Sequence, residues 1–233
     1  MRTRKGLSVG WSIAVITLTL LSVQMVGTGF GKAPGDHWEE TIRAFEAGDK
    51  KDFPAPGVIV FIGSSSIAGW RGLSKDFKGL PVLNRGFGGS QMADALQYVH
   101  RIVIPYRPSR VVLYEGDNDI AAKKSPETIA GEFHLFLQKI HKALPGTPVY
   151  FLSIKPSPAR WKLWSSMREA NGLIRDICSK TAAAEYIDVG SPLLDKEGKP
   201  LTELYRKDGL HLTKEGYKRW TAAIRPYLEK PLE

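Results

Sequence analysis

From Gly57 onward the chain alternates between short apolar runs and longer stretches in which apolar residues recur every three or four positions. The short runs are GVIVFIG (57–63), PVLN (81–84), SRVVLYEG (109–116), TPVYFLSI (147–154) and EYIDVG (185–190). Their β-branched and aromatic content and their Gly or Pro boundaries predict five strands. Stretches near 91–101, 126–143, 163–182 and 213–228 predict helices. Ser125-Pro126 opens the second of these, with the serine as cap and the proline at the first helical position, where its missing N–H has no bond to make. Near-continuous apolar strands alternating with helices predict a parallel sheet covered on both faces, a three-layer α/β/α doubly wound domain. Ligands of such sheets sit beyond the carboxyl ends of the strands, so the chemistry is sought just after each one.

The first 31 residues break this pattern. Arg2, Arg4 and Lys5 precede a stretch without charge that runs to Lys32, with a strongly apolar segment at Trp11–Val26 and then Gly27, Gly29 and Gly31. A basic start, an apolar run and small residues predict an export signal, either cleaved as a signal peptide or retained as an N-terminal membrane anchor. The boundary is therefore placed between residues 1–31 and a domain of residues 32–233 that works in the periplasm or as a secreted protein. Gly27-Thr-Gly-Phe-Gly-Lys32 has a phosphate-loop flavour, but its spacing is wrong and no Ser or Thr follows the lysine.

Composition narrows the class. With 233 residues, 42% of them hydrophobic and 24% charged, the chain suits one folded domain and is too apolar for a disordered one. The single cysteine, Cys178, excludes a disulfide framework and a Cys-rich zinc site. The net charge of +9 becomes +6 once the three cations of the leader are set aside. That excess suits an anionic cell envelope and does not by itself argue for nucleic acid.

Four blocks carry the candidate chemistry, three at consecutive predicted strand ends and one near the C-terminus. Gly63-Ser-Ser-Ser66 follows the first strand, where a serine at a strand-to-helix turn can present both its hydroxyl and its N–H to the crevice. Asn84-Arg-Gly-Phe-Gly-Gly89 follows the second and offers bare backbone donors. Glu115-Gly-Asp-Asn118-Asp119 follows the third, and its asparagine amide can donate to a developing oxyanion. Near the C-terminus, Asp208 precedes His211 by three residues, a spacing that lets the carboxylate hold the imidazole as a base; among the five histidines only His211 has an Asp at that offset. Each block alone has an ordinary explanation as a helix cap, a tight turn or an Asx turn. Together they supply a nucleophile, two kinds of oxyanion donor and a paired base.

At these residues the chain resembles the SGNH (GDSL-type) esterases and acylhydrolases. The resemblance runs from Val58 to about Tyr217 and rests on FIGSSSI (61–67), NRGFGG (84–89), EGDND (115–119) and DGLHLTKEGY (208–217). It implies a flavodoxin-like sandwich and a nucleophile at Ser65. It also implies an oxyanion hole from the Ser65 N–H, the Gly89 N–H and the Asn118 amide, with Asp208 and His211 completing a triad. The family usually has Gly-Asp-Ser in the first block, whereas Ser64 stands here in place of the Asp. The choice of Ser65 among three adjacent serines therefore rests on register. No metal or cofactor is needed for acyl transfer of this kind.

Lys155-Pro-Ser-Pro-Ala-Arg160-Trp-Lys-Leu-Trp164 follows the fourth strand. Arg160, Trp161 and Trp164 are candidate substrate-binding residues, as a stacking platform for a sugar or a clamp for an anionic group; packing against the core is the competing role for at least one of the tryptophans. Trp70, beyond the nucleophile turn, is a candidate for the acyl side. Glu115, Asp117 and Asp119 flank Asn118 and are read as positioning groups; His134 and His141 are read as parts of a solvated helix face. The expected function is an exported serine esterase acting on short-chain acyl esters, such as O-acetyl groups, carried by a small molecule or a glycan, with no nucleic-acid partner. An O-acyltransferase on envelope glycans uses the same residues. A non-catalytic glycan-binding module is a third reading, and a flavin or nucleotide binder a fourth that would leave His211 idle.

Overall fold

The computed structural model describes residues 37–231, and the predicted export segment falls outside them. They belong to the second of two compact units, Lys32–Glu233. Five strands form one parallel sheet in the order β2-β1-β3-β4-β5. They are β1 (Ile59–Gly63), β2 (Val82–Gly86), β3 (Arg110–Tyr114), β4 (Val149–Leu152) and β5 (Ala184–Ile187). The sheet order is the flavodoxin-like one, in which the chain reverses direction of growth between β1 and β3 and opens a crevice beyond their carboxyl ends.

Alternation along the strands divides the core in two. Val60 and Ile62 of β1, with Val111 and Leu113 of β3, face a cluster built on α1 (Glu39–Asp49), α4 (Met92–Ile102), α6 (Pro126–Ala143) and α7 (Trp164–Lys180). Ile59, Phe61, Val112 and Tyr114 face the other way. They pack against α2 (Ser65–Ala68), α3 (Leu73–Asp76) and α8 (Lys214–Glu229). With both faces covered, the inner strands β1, β3 and β4 are buried throughout, which is why they read as unbroken apolar runs, while the edge strands β2 and β5 are half-buried in part. The predicted cap is present, with the Ser125 hydroxyl accepting the Thr128 N–H at 3.2 Å.

Two differences from the pattern reading have physical reasons. Helix α1 buries only Ile42 fully, so its apolar period is faint. It is held instead by Arg101, which pairs with Glu39 at 2.7 Å and Glu46 at 2.6 Å. Strand β2 continues two residues past Asn84 because Arg85 finds buried partners in Asp49 and Tyr106. Among the described residues no helix is long and apolar enough to cross a membrane.

Candidate active site

The turn from β1 into α2 puts the serine triplet at the end of the sheet. Ser64 and Ser66 are buried, whereas Ser65 is half-buried and its Oγ lies 2.9 Å from His211 Nε2. As the first residue of α2, Ser65 also turns its N–H outward, and that N–H has no acceptor among the described residues. The short helix is fixed from two sides. On one, Asn84 Nδ2 donates to the Ile67 carbonyl at 2.7 Å while its Oδ1 accepts the Gly86 N–H at 2.9 Å. A Cβ at Gly86 would stand 2.2 Å from the Ala68 nitrogen, so only glycine lets β2 and α2 approach this closely. On the other, the Tyr217 hydroxyl donates to the Ser66 carbonyl at 2.9 Å.

Asp208 and His211 meet within one tight loop. Asp208 Oδ2 lies 2.8 Å from His211 Nδ1, and Oδ1 accepts the N–H groups of Leu210 at 2.8 Å and His211 at 2.9 Å. The hydrogen bond to the imidazole, followed by those two backbone donors, holds the Asp208 carboxyl well below the usual carboxylate range. An ionised Asp208 assigns the proton to Nδ1 and leaves Nε2 to accept from the Ser65 hydroxyl. The loop is tied down by two backbone bonds, Arg206 N–H to His211 C=O at 2.7 Å and Ala159 N–H to Gly209 C=O at 3.0 Å.

The turn after β2 passes over Ser65. A Cβ at Gly88 would lie 3.7 Å from Ser65 Cβ, and Gly89 adopts φ +87°. The Gly89 N–H has no acceptor among the described residues. The indole of Trp38 stands where a Gly89 side chain would reach, at 3.2 Å, and packs edge-on to Phe87. After β3, Gly116 leads into α5 (Asp117–Ala121), which carries Asn118. Asn118 Nδ2 donates one hydrogen to the Ser90 carbonyl at 2.9 Å, and its Oδ1 accepts from Arg160 Nη2 at 3.0 Å. Ser65, Gly89, Asn118, Asp208 and His211 are thus gathered at one end of the sheet by four separate loops.

Behind Asn118 lies a set of buried ionisable groups. Asp117 is bound by Lys155 Nζ at 2.6 Å and by Arg160 Nη1, with Tyr114 Oη at 3.2 Å. Burial works to raise the Asp117 carboxyl, but the charges of Lys155 and Arg160 outweigh it and hold the group below its ordinary value. Glu115 is fully buried with one oxygen accepting from Ser90 Oγ at 2.6 Å and the other unpartnered. Burial pushes its carboxyl well up. Asp119 takes the Met92 N–H and pairs with Lys124 at 3.1 Å. All three acids therefore hold neighbouring segments. His134 meets Gln138, and His141 meets the Thr147 carbonyl.

The remaining candidates part company. Trp161 and Trp164 stack with centroids 6.1 Å apart at 19°, both half-exposed, with Trp164 packed against the first core cluster. Trp70 requires a correction. It is 1% exposed, stacks on Tyr217 and donates to Asp76 at 2.7 Å, so it is part of the second core cluster. The reason is that α2 lasts only four residues, and the chain leaving it turns inward. Arg160 is also corrected: two of its guanidinium nitrogens engage Asp117 and Asn118, which is not the arrangement of a free anion clamp. Residues missed in the sequence are Trp38, Asn84, Ser90, Lys155 and Tyr217 as supports of the site. Lys155 is the least expected, since a lysine just past a strand normally marks solvent but here is 1% exposed. Among the described residues no cluster of His, Cys, Asp and Glu is arranged to hold a metal ion.

The sequence model of the GDSL-like lipase/acylhydrolase family matches residues 57–219, a span that contains all four blocks and both supports of α2. The chain belongs to this family. Solved structures similar to this GDSL-like acylhydrolase include a Streptococcus pneumonia protein named as a platelet activating factor. It is 23% identical with a TM-score of 0.73, over 82% of this chain and 92% of that one. A GDSL-like lipase from Bacteroides thetaiotaomicron is 22% identical, with a TM-score of 0.69 over 81% and 97%. An acetylxylan esterase from Geobacillus stearothermophilus is 12% identical, with a TM-score of 0.64 over 76% and 96%. Likeness at these identities shows the shared fold, a parallel sheet between layers of helices. No curated protein matches the chain. Family membership makes this a GDSL-type hydrolase.

Proposed function

We propose that this chain is an exported serine esterase that removes short acyl groups, such as O-acetyl, from a glycan or a small ester. The observation that carries the reading is the continuous line from Asp208 Oδ2 through His211 to Ser65 Oγ, with gaps of 2.8 and 2.9 Å. In the proposed reaction His211 Nε2 takes the Ser65 proton as Oγ attacks the acyl carbonyl. Asp208 steadies the imidazolium, and the oxyanion is received by the Ser65 and Gly89 N–H groups and by the Asn118 amide. The imidazolium then protonates the leaving alkoxide, and a water activated by the same nitrogen releases the acid.

The openness of the site supports a bulky alcohol with a small acyl group. Ser65 is half-buried while Gly88, Gly89 and Asp208 are exposed, so the ester is reached from the surface. The half-exposed Trp161 lies in the segment that bonds to the Asp208 loop, where an indole face suits the apolar side of a sugar ring. The acetylxylan esterase of similar fold is in keeping with this substrate class. Export rests on the basic and apolar leader of residues 1–31.

The test is hydrolysis of p-nitrophenyl esters from acetate to palmitate by the wild type and by Ser65→Ala. Release of nitrophenol from the short esters, lost in the variant, is the expected result. A wild type that hydrolyses none of them, or a variant as fast as the wild type, overturns the reading.

A further inference from the structure

Asn118 faces two groups of opposite character. On one side is the Ser90 carbonyl, which can only accept a hydrogen bond; on the other is the Arg160 guanidinium, which can only donate. A side-chain amide has a donor end and an acceptor end of nearly equal size, and nothing in its shape prevents it from turning over. Here the two neighbours decide the matter. Turned over, the amide would set Oδ1 against the Ser90 carbonyl and Nδ2 against the guanidinium, two repulsive contacts in place of two bonds. In the observed orientation Nδ2 keeps a second N–H that has no acceptor among the described residues.

Arg160 is itself held. Its Nη1 binds Asp117, whose second oxygen is occupied by the Lys155 ammonium at 2.6 Å. Asp117 is 4% exposed and Lys155 1%, so the bracing is shielded from water and from screening by salt. Ser90, the other neighbour, is fully buried and fixed through its hydroxyl to Glu115. The set contains two cations and one carboxylate, which leaves positive charge beside Asn118 on the side away from Ser90.

We infer that Arg160 is a positioning residue for the oxyanion donor: by holding Asn118 Oδ1, braced through Asp117 and Lys155, it fixes the amide with its free N–H available to the transition state. This rests on the esterase reading for its consequence in catalysis, but not for the orientation itself. An oriented dipole in a site of this kind needs no reorganisation as charge develops, and the adjacent guanidinium polarises the amide toward stronger donation. The role is different from binding substrate, because the groups Arg160 touches are both the protein's own.

The experiment compares Arg160→Ala, Arg160→Lys, Asn118→Ala and the double variant. Activity is read on two small aryl acetates, neutral p-nitrophenyl acetate and anionic 4-acetoxybenzoate. Arg160→Ala should lower kcat about tenfold to a hundredfold on both with KM nearly unchanged. Arg160→Lys should recover part of the loss, since an ammonium reaches one partner but does not bridge two. In the Asn118→Ala background the loss of Arg160 should have no further effect on kcat. A second readout needs no activity: the Nδ2 protons of Asn118, assigned by their absence in Asn118→Ala, are followed by NMR. They should give two signals set apart in shift, one bonded to the Ser90 carbonyl and one free, in the wild type, and both should move toward free-amide shifts in Arg160→Ala. A KM increase confined to 4-acetoxybenzoate, additive losses in the double variant, or Asn118 signals unchanged by Arg160→Ala would overturn the inference. A wild type inactive on both esters would overturn the esterase reading alone, and the NMR comparison would still decide the positioning.

Discussion

The two sides of the crevice are built from different materials. The Ser65 turn is held by neutral contacts, with Asn84 and Tyr217 donating to main-chain carbonyls of α2 and Gly86 lying against its backbone. The Asn118 side is held by charge, with Lys155, Asp117 and Arg160 arranged behind the amide, and by the buried Glu115 carboxyl that fixes Ser90. The difference follows from what each side has to do. In the proposed reaction Ser65 gives up a proton to His211, and a charge packed against that hydroxyl would shift the transfer in one direction. Asn118 changes no bond and needs only a fixed direction, which charged hydrogen bonds in a dry setting provide well.

The comparison can be broken in several places. The largest effect is expected from His211→Ala, which removes the base and should lower kcat by about 10⁴-fold to 10⁶-fold; steady-state kinetics on p-nitrophenyl acetate would show it, and a loss below tenfold would remove His211 from the reaction. Asn118→Ala should come next, at about 10²-fold to 10³-fold in kcat with KM little changed. On the Ser65 side, Asn84→Ala takes the acceptor from the Gly86 N–H and one of two donors from the Ile67 carbonyl, and should lower stability by about 1–3 kcal/mol, read by denaturant unfolding. Its kinetic effect should be smaller than that of Asn118→Ala.

Titration sharpens the contrast. Asp208 and Asp117 are both held below the ordinary carboxylate range, the first by the imidazole hydrogen bond and the second by Lys155 and Arg160 against burial. Both stay ionised as the pH falls toward the ordinary carboxylate value, so a pH–rate profile of kcat/KM should show no ionisation of either carboxylate above it. The smallest effect concerns Glu115. Burial raises its carboxyl well above 4.5, so the folded state keeps a proton that the unfolded chain has lost. Its stability contribution therefore declines as pH rises above that ordinary value. Glu115→Gln should abolish this component, melting level with the wild type near pH 4 and a few degrees higher near pH 8.

Much of the architecture is legible in the sequence because strands buried on both faces write themselves as unbroken apolar runs, and β1, β3 and β4 fall where those runs predict. The site is legible where the chemistry is local, as in Asp208 and His211, which meet inside a single loop. Supports that depend on distant segments are not. Lys155 and Asp117 are 38 residues apart, and nothing in either strand end announces the other. Trp70 shows the opposite failure: its place after the nucleophile turn suggests the crevice, but a helix of four residues returns the chain to the core before it arrives. Helix α1 was hidden because ion pairs with Arg101, more than an apolar face, secure it. The signal that could have found Arg160's role is the run Asp117-Asn118, which sets an acid next to the amide and so calls for a cation.

The central claim is that Ser65 is a nucleophile activated through His211 and Asp208. Its most direct test is reaction of the wild type, Ser65→Ala and His211→Ala with a p-nitrophenyl phosphonate, followed by intact-protein and peptide mass spectrometry. The account predicts one adduct on Ser65 in the wild type, none in Ser65→Ala, and labelling of His211→Ala slowed by orders of magnitude. An adduct on Ser64 or Ser66, or labelling unaffected by His211→Ala, would contradict it.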